Sequence, residues 1–343
     1  MQIGLAVFIF KPSLCLNLKG AFFMSIFLNV LFLVLGFVFL AKGADFFVDG
    51  ASSIAKRFNI PQIVIGLTIV AMGTSMPEAA VSIKAAISGN ADISIGNVVG
   101  SNILNILIIL GVSSVIFPLV VKRSTRKIDI PIVIGASAIL FLLGLLGTVY
   151  FWGGIILLLL FGAYLAYLFF TAKKEKECGN GEEKNGETEI KDMPAWKSII
   201  FVVLGAALII FGSEFAVETA TNLAKMAGWS DAFIGLTIVA LGTSLPELFT
   251  SVMAAIKKNS DIAIGNVVGS NIFNILFILG VTSLITPVNF APSFLIDTAI
   301  SLACAVLLLL LSLRGGKLNR WGGAIMLFSY GGYFVYLYLT QIA

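Results

Sequence analysis

The sequence predicts an all-α polytopic membrane protein of about ten transmembrane helices, arranged as two inverted-topology five-helix repeats. Hydropathy, an internal repeat and the placement of basic residues predict it. Mean hydropathy is +1.04 over 343 residues, with 59% hydrophobic and 12% charged residues. A soluble core cannot use that much apolar surface, and several runs reach the roughly 20 residues that cross a bilayer as a helix. Residues 65–112 return without a gap at 234–281, with about 35 of 48 positions identical.

The apolar segments fall near 22–42, 59–87, 94–117, 128–147, 150–171, 196–223, 231–256, 262–286, 293–313 and 320–341. Residues 173–195 are polar, mixed in charge and rich in glycine, the composition of a flexible solvated linker. They separate a first transmembrane repeat, 22–172, from a second, 196–343. Residues 1–21 are poorly patterned and read as a leader or a mis-called start.

One set of loops holds Lys56, Arg57, Lys122, Arg123, Arg126, Lys127, the linker lysines, Lys257, Lys258, Arg314, Lys317 and Arg320. The opposite set holds Lys11, Lys19, Lys84 and Lys225, about 17 basic residues against 4. The bias places the linker in the cytoplasm and both termini outside. With five spans per half, the second half enters the membrane from the other side, a plan that puts a transport site at the midplane between repeats.

Composition excludes several chemistries. The net charge of +4 is spread over loops and forms no basic face for nucleic acid. Histidine is absent, and Cys15, Cys178 and Cys304 are isolated, so neither a disulfide framework nor a zinc spacing is present. No GxxxxGK[ST] phosphate loop occurs.

Each repeat carries one glutamate in an apolar segment, Glu78 in Gly73-Thr74-Ser75-Met76-Pro77-Glu78 and Glu247 in Gly242-Thr243-Ser244-Leu245-Pro246-Glu247. Proline removes the helical partner of the carbonyl four residues back and opens the turn. Thr74 and Ser75 share a helical face with Glu78. Carboxylate, hydroxyls and freed carbonyls thus gather at one depth, a donor set for hard cations and for Ca²⁺ above all. A lone motif of this kind also has a plainer reading, a proline kink with hydroxyls bonded back to the helix. An ionised group at mid-membrane costs several kcal/mol, and two in register point to function.

The next helix of each copy begins Gly96-Asn97-Val98-Val99-Gly100-Ser101-Asn102 and Gly265-Asn266-Val267-Val268-Gly269-Ser270-Asn271, reaching Asn105 and Asn274. Ser101 shares a face with Asn105, and Ser270 with Asn274; ligation and helix–helix hydrogen bonding both stay open. Asn97, Asn102 and their mates read as packing or capping groups. Asp45, Asp49, Glu214 and Glu218 read as solvated groups near span ends, Asp92 and Asp261 as acidic residues at helix starts, and Asp129 and Asp297 as caps. The tyrosines of the last span, Tyr330, Tyr333, Tyr336 and Tyr338, read as an interfacial belt.

GTSxPE followed by GNVVGSNxxN, in two inverted copies, resembles the alpha repeats of the sodium/calcium exchangers in the cation/calcium antiporter superfamily, prokaryotic in type and without regulatory domains. The likeness runs from about Phe22 to the end. It implies a secondary antiporter, not an enzyme, that exchanges Na⁺ for Ca²⁺ by alternating access and normally exports Ca²⁺. It implies Ca²⁺ at Glu78, Glu247 and the carbonyls of Thr74 and Thr243. It implies Na⁺ at the same glutamates, the hydroxyls of Ser75, Ser244, Ser101 and Ser270, and the carbonyls of Ala71 and Ala240, with Asn105 and Asn274 lining the centre. Asparagine at 274, where potassium-dependent and some prokaryotic members carry aspartate, argues against potassium dependence. The implied partners are Ca²⁺, Na⁺ and the bilayer of the cell membrane, with no cofactor, no nucleic acid and a functional monomer. The first two spans and their mates, joined to the core by no buried charge, are expected to slide past it.

H⁺/Ca²⁺ antiport is the alternative, since carboxylates carry protons as well. An intramembrane hydrolase lacks a nucleophile–base set, and a purely structural role leaves two buried glutamates unexplained.

Overall fold

The computed structural model describes residues 12–89, 92–177, 193–228, 240–290 and 292–342. In chain order they form α1 (Pro12–Phe58), α2 (Gln62–Thr74), α3 (Met76–Ile87), α4 (Ile93–Ile116), β1 (Leu119–Val120), α5 (Thr125–Leu145), β2 (Thr148–Val149) and α6 (Phe151–Glu177). The second half has α7 (Ala195–Met226), α8 (Ala240–Thr243), α9 (Leu245–Ile256), α10 (Ser260–Ile285), β3 (Val288–Asn289), α11 (Pro292–Leu313), β4 (Lys317–Leu318) and α12 (Arg320–Ile342). Among the described residues, eight helices are long and apolar enough to cross a bilayer, and α2 with α3 makes a further span bent by 48°. Of the span expected at 231–256, residues 231–239 lie outside the described residues, as do linker residues 178–192 and leader residues 1–11.

The packing shows the inversion directly. α1 and α7 run antiparallel: Gly36 meets Gly212 and Ala216, Gly43 meets Gly205 and Ile209, and Gly50 meets Ser198 and Val202. A Cβ on Gly43 would come within 2.9 Å of the Gly205 carbonyl, so only glycine lets these backbones close. Two short ribbons cap the molecule, β1 with β4 (Leu119 opposite Leu318) and β2 with β3 (Thr148 opposite Asn289). The offset that carries Glu78 onto Glu247 also carries β1 onto β3 and β2 onto β4, so the ribbons are one feature at opposite faces.

One face gathers the linker ends. Ser53 Oγ donates to Met193 O (3.4 Å) and lies 2.8 Å from Ser198 Oγ. Asn259 donates to Ser52 Oγ at 3.0 Å, Ser260 Oγ accepts from Val120 N at 3.0 Å, and Lys122 pairs with Asp261 at 2.8 Å. This linker face therefore carries the basic loops that the charge count grouped together.

Several expectations need correction. The first span does not stop near residue 42; the helix continues to Phe58 because its glycine face stays against α7. The second span does not belong with the first: α2 and α3 pack with α4 and α10, whereas α1 packs chiefly along α7. Asp45 and Asp49 are not merely solvated. Lys257 binds the Asp45 carboxylate at 2.6 Å and also pairs with Asp49, a buried residue, so α1 is joined to the core by charge after all. Asp129 does not cap its helix but is buried with one unpartnered oxygen, and Asp297 accepts from Tyr333 at 3.1 Å. That bond, with the stacking of Tyr333 on Tyr336, turns part of the expected belt inward.

Candidate functional site

The site forms where the two broken spans face each other. Ser75 sits at the break between α2 and α3 with φ −84° and ψ 9°, and Ser244 holds the matching place with φ −90° and ψ 4°. Pro77 and Pro246 follow inside the first turns of α3 and α9, where a missing N–H costs nothing. Glu78 and Glu247 occupy those first turns, where the unpaired amides of a helix start favour negative charge.

Both glutamates are fully buried, with 1% and 0% of their surface exposed. Each is held by the other repeat. Ser75 Oγ donates to Glu247 Oε1 at 2.7 Å, and Ser244 Oγ donates to Glu78 Oε1 at 3.4 Å. The second oxygens, Glu78 Oε2 and Glu247 Oε2, have no partner. No ion pair among the described residues reaches either carboxylate.

Asn105 and Asn274 stand in matching π-helical turns, Asn105–Leu110 and Phe273–Ile278. Such turns widen a helix locally and recur at functional sites. The Asn274 turn packs on α3, which bears Glu78, and the Asn105 turn packs on α9, which bears Glu247. Both amide oxygens are buried and unpartnered. Four oxygens, two from carboxylates and two from amides, are thus left over in a two-fold arrangement. Buried polar atoms are normally satisfied, and oxygen donors of this kind are the type that hard cations take, so these four orphans in register form a candidate cation site.

Of the remaining expected residues, Thr74, Ala71 and Ser270 meet at the contact between the repeats. Thr74 Oγ1 donates across the repeats to Asn266 Oδ1 at 3.0 Å. The Ala71 carbonyl accepts from Ser270 Oγ at 3.4 Å and from Ser75 N at 3.0 Å, which puts it at the inter-repeat contact. Ser101 is buried, and Ala240 and Thr243 begin and end α8.

The asparagines read as packing or capping groups do more. Asn97 donates to the carbonyl of Glu78 at 3.0 Å and to Ser82 Oγ at 2.8 Å; Asn266 donates to the carbonyl of Glu247 at 3.2 Å and to Ser251 Oγ at 2.9 Å. They tie the glutamate-bearing turns to the following helices. Their recurrence in both copies was the available signal.

A family model described as "Sodium/calcium exchanger protein" matches residues 28–170 and 197–339. CaxA of Alkalimonas amylolytica, a candidate antiporter by name, is 40% identical over 314 residues, covering 88% of this chain and 96% of that protein. The sodium/calcium exchanger MaX1 of Methanosarcina acetivorans is 36% identical over 344 residues, covering 90% and 98%. The structure of the sodium-calcium exchanger NCX_Mj soaked with Na⁺ and Sr²⁺ superposes with a TM-score of 0.78 at 33% identity, covering 90% of this chain and 99% of that one. With both repeats matched and the broken spans facing each other, the chain belongs to the sodium/calcium exchanger family.

Proposed function

We propose that the chain is a secondary antiporter that exchanges Na⁺ for Ca²⁺ across the cell membrane by alternating access and normally exports Ca²⁺. The observation that carries this reading is the pair of buried glutamates, each with one oxygen clamped by the opposite repeat and one left without a partner. Ionised, the pair holds a charge of about −2, which one Ca²⁺ neutralises and which an apolar barrier otherwise resists. Ca²⁺ takes Glu78, Glu247 and the carbonyls of Thr74 and Thr243. Na⁺ takes the same glutamates with Ser75, Ser244, Ser101, Ser270 and the carbonyls of Ala71 and Ala240. Because the carboxylates are shared, the two ions exclude each other, and an empty, doubly charged site does not cross. That is the physical basis of obligatory exchange.

The linker lies in the cytoplasm and both termini outside, as the loop charges indicate. Proton exchange is the competing coupling, since two carboxylates also accept protons. Ca²⁺ flux in proteoliposomes under Na⁺, K⁺ and pH gradients imposed in turn separates the two. An outward Na⁺ gradient is expected to drive Ca²⁺ uptake without help from K⁺. Flux that follows the pH gradient and ignores Na⁺ would overturn the sodium reading.

A further inference from the structure

We infer that Asn102 and Asn271 are positioning residues that turn the amide oxygens of Asn274 and Asn105 toward the ion, and so make the centre of the site oxygen-lined. The inference rests on the cation-binding reading above and adds two residues to it.

Two main-chain carbonyls fix the orientation of these side chains. Asn102 Nδ2 lies 3.3 Å from the carbonyl of Asn271, and Asn271 Nδ2 lies 3.3 Å from the carbonyl of Asn102. A carbonyl only accepts, so the NH₂ end of each side chain must face it. The Oδ1 end of each is then left to accept. Asn102 Oδ1 accepts from Asn274 Nδ2 at 3.1 Å, and Asn271 Oδ1 accepts from Asn105 Nδ2 at 3.0 Å. With their NH₂ ends engaged, Asn274 and Asn105 present Oδ1 on the remaining side, where both atoms are buried and without a partner.

All four side chains have at most 1% of their surface exposed, so no solvent can substitute for a missing link. The alternative orientation would aim N–H donors at the ion and oppose Asn102 Oδ1 to an amide oxygen. The backbone contact between α4 and α10 thereby sets the chemistry at the centre through one relay on each side. An asparagine needs such orientation and an aspartate does not, because both of its ends are oxygen.

That difference supplies the test. Ca²⁺ affinity is measured by titration calorimetry on the purified full-length protein, on Asn102→Leu, on Asn274→Asp and on the double variant. Asn102→Leu is expected to weaken Ca²⁺ binding by about tenfold when residue 274 is asparagine, the loss of one oriented ligand. In the Asn274→Asp background the same change is expected to cost less than about twofold, a non-additivity that pure packing loss would not produce. Equal losses in the two backgrounds would overturn the inference while leaving the exchange reading intact. Absence of Ca²⁺ binding by the unsubstituted protein would instead remove the exchange reading itself. Asn102→Ala, and the mirror cycle of Asn271→Leu with Asn105→Asp, repeat the comparison should Asn102→Leu fail to give monodisperse protein.

Discussion

The two repeats are nearly the same at the centre and differ where the outer helices cover them. Helix α1 packs along α9, with Phe37 stacked on Phe249 at 6.0 Å and Lys257 bound to Asp45 and Asp49. The matching helix α7 makes no comparable contact with α3. The positions equivalent to Phe37, Phe249 and Lys257 are Ala206, Ala80 and Ser88. Met76, at the start of α3, is 55% exposed, whereas its mate Leu245 is half-buried. Large and charged side chains therefore close the linker side, and small ones leave the opposite side less covered. The centre here is close to two-fold; a cycle with two unequal end states can use unequal covers.

If the centre is symmetric, damage to either half should cost the same. Glu78→Gln and Glu247→Gln are each expected to reduce Ca²⁺ flux by at least about 100-fold, because one partner of a buried charge constellation is removed. Protein yield and membrane insertion should persist. Sodium-driven ⁴⁵Ca²⁺ uptake into proteoliposomes measures the loss. Normal flux in both variants would end the two-carboxylate site. A loss confined to one of them would break the symmetry of the centre.

The centre was legible in the sequence because an ionisable group in an apolar run has few innocent explanations, and the repeat excluded chance. Proline and serine beside Glu78 and Glu247 then pointed to an oxygen-donor site. Asn102 and Asn271 were not legible, because an asparagine on a helix can cap, pack or orient. Only the carbonyl across the repeat interface decides among them. The pairing of Lys257 with Asp49 links positions 208 residues apart, which no local pattern reports. For the same reason the polar stretch after residue 42 resembled the end of a span. Its carboxylates are in fact answered from another helix, and its glycines by α7.

The unequal covers predict unequal faces. Lys257→Met removes the cation between Asp45 and Asp49 and leaves two carboxylates side by side. The Lys257 and Asp45 side chains are 22% and 32% exposed, so screening limits the linkage to about 1 kcal/mol, or about fivefold in population. The half-saturating Ca²⁺ concentration on the linker face is expected to fall by about that factor, as the state open to that face becomes more populated. Ser88→Lys would place a lysine in the equivalent position of the first repeat, where Glu214 and Glu218 are the mates of Asp45 and Asp49. It should shift the balance in the same direction, by strengthening closure on the opposite face. Proteoliposomes of uniform orientation, assayed from each side, give both values. Unchanged half-saturation for Lys257→Met on both faces would mean that this ion pair plays no part in closure.

The smallest expected difference lies in the serine clamps, where the centre itself departs slightly from symmetry. Ser75 reaches Glu247 at 2.7 Å, but Ser244 reaches Glu78 at only 3.4 Å. A hydrogen bond to a charged group contributes about 1.5–3 kcal/mol at good geometry and much less when long. Ser75→Ala should therefore raise the Na⁺ concentration for half-maximal exchange by about tenfold, and Ser244→Ala by about threefold. Ca²⁺/Ca²⁺ exchange, which does not require the serine hydroxyls as ion ligands, should change less in both. Equal Na⁺ losses would mean that the two clamps tighten to the same length once Na⁺ is bound, so that the inequality belongs to one conformation. A larger loss at Ser75 would instead make it a property of the two repeats, and the centre, like its covers, would be only approximately two-fold.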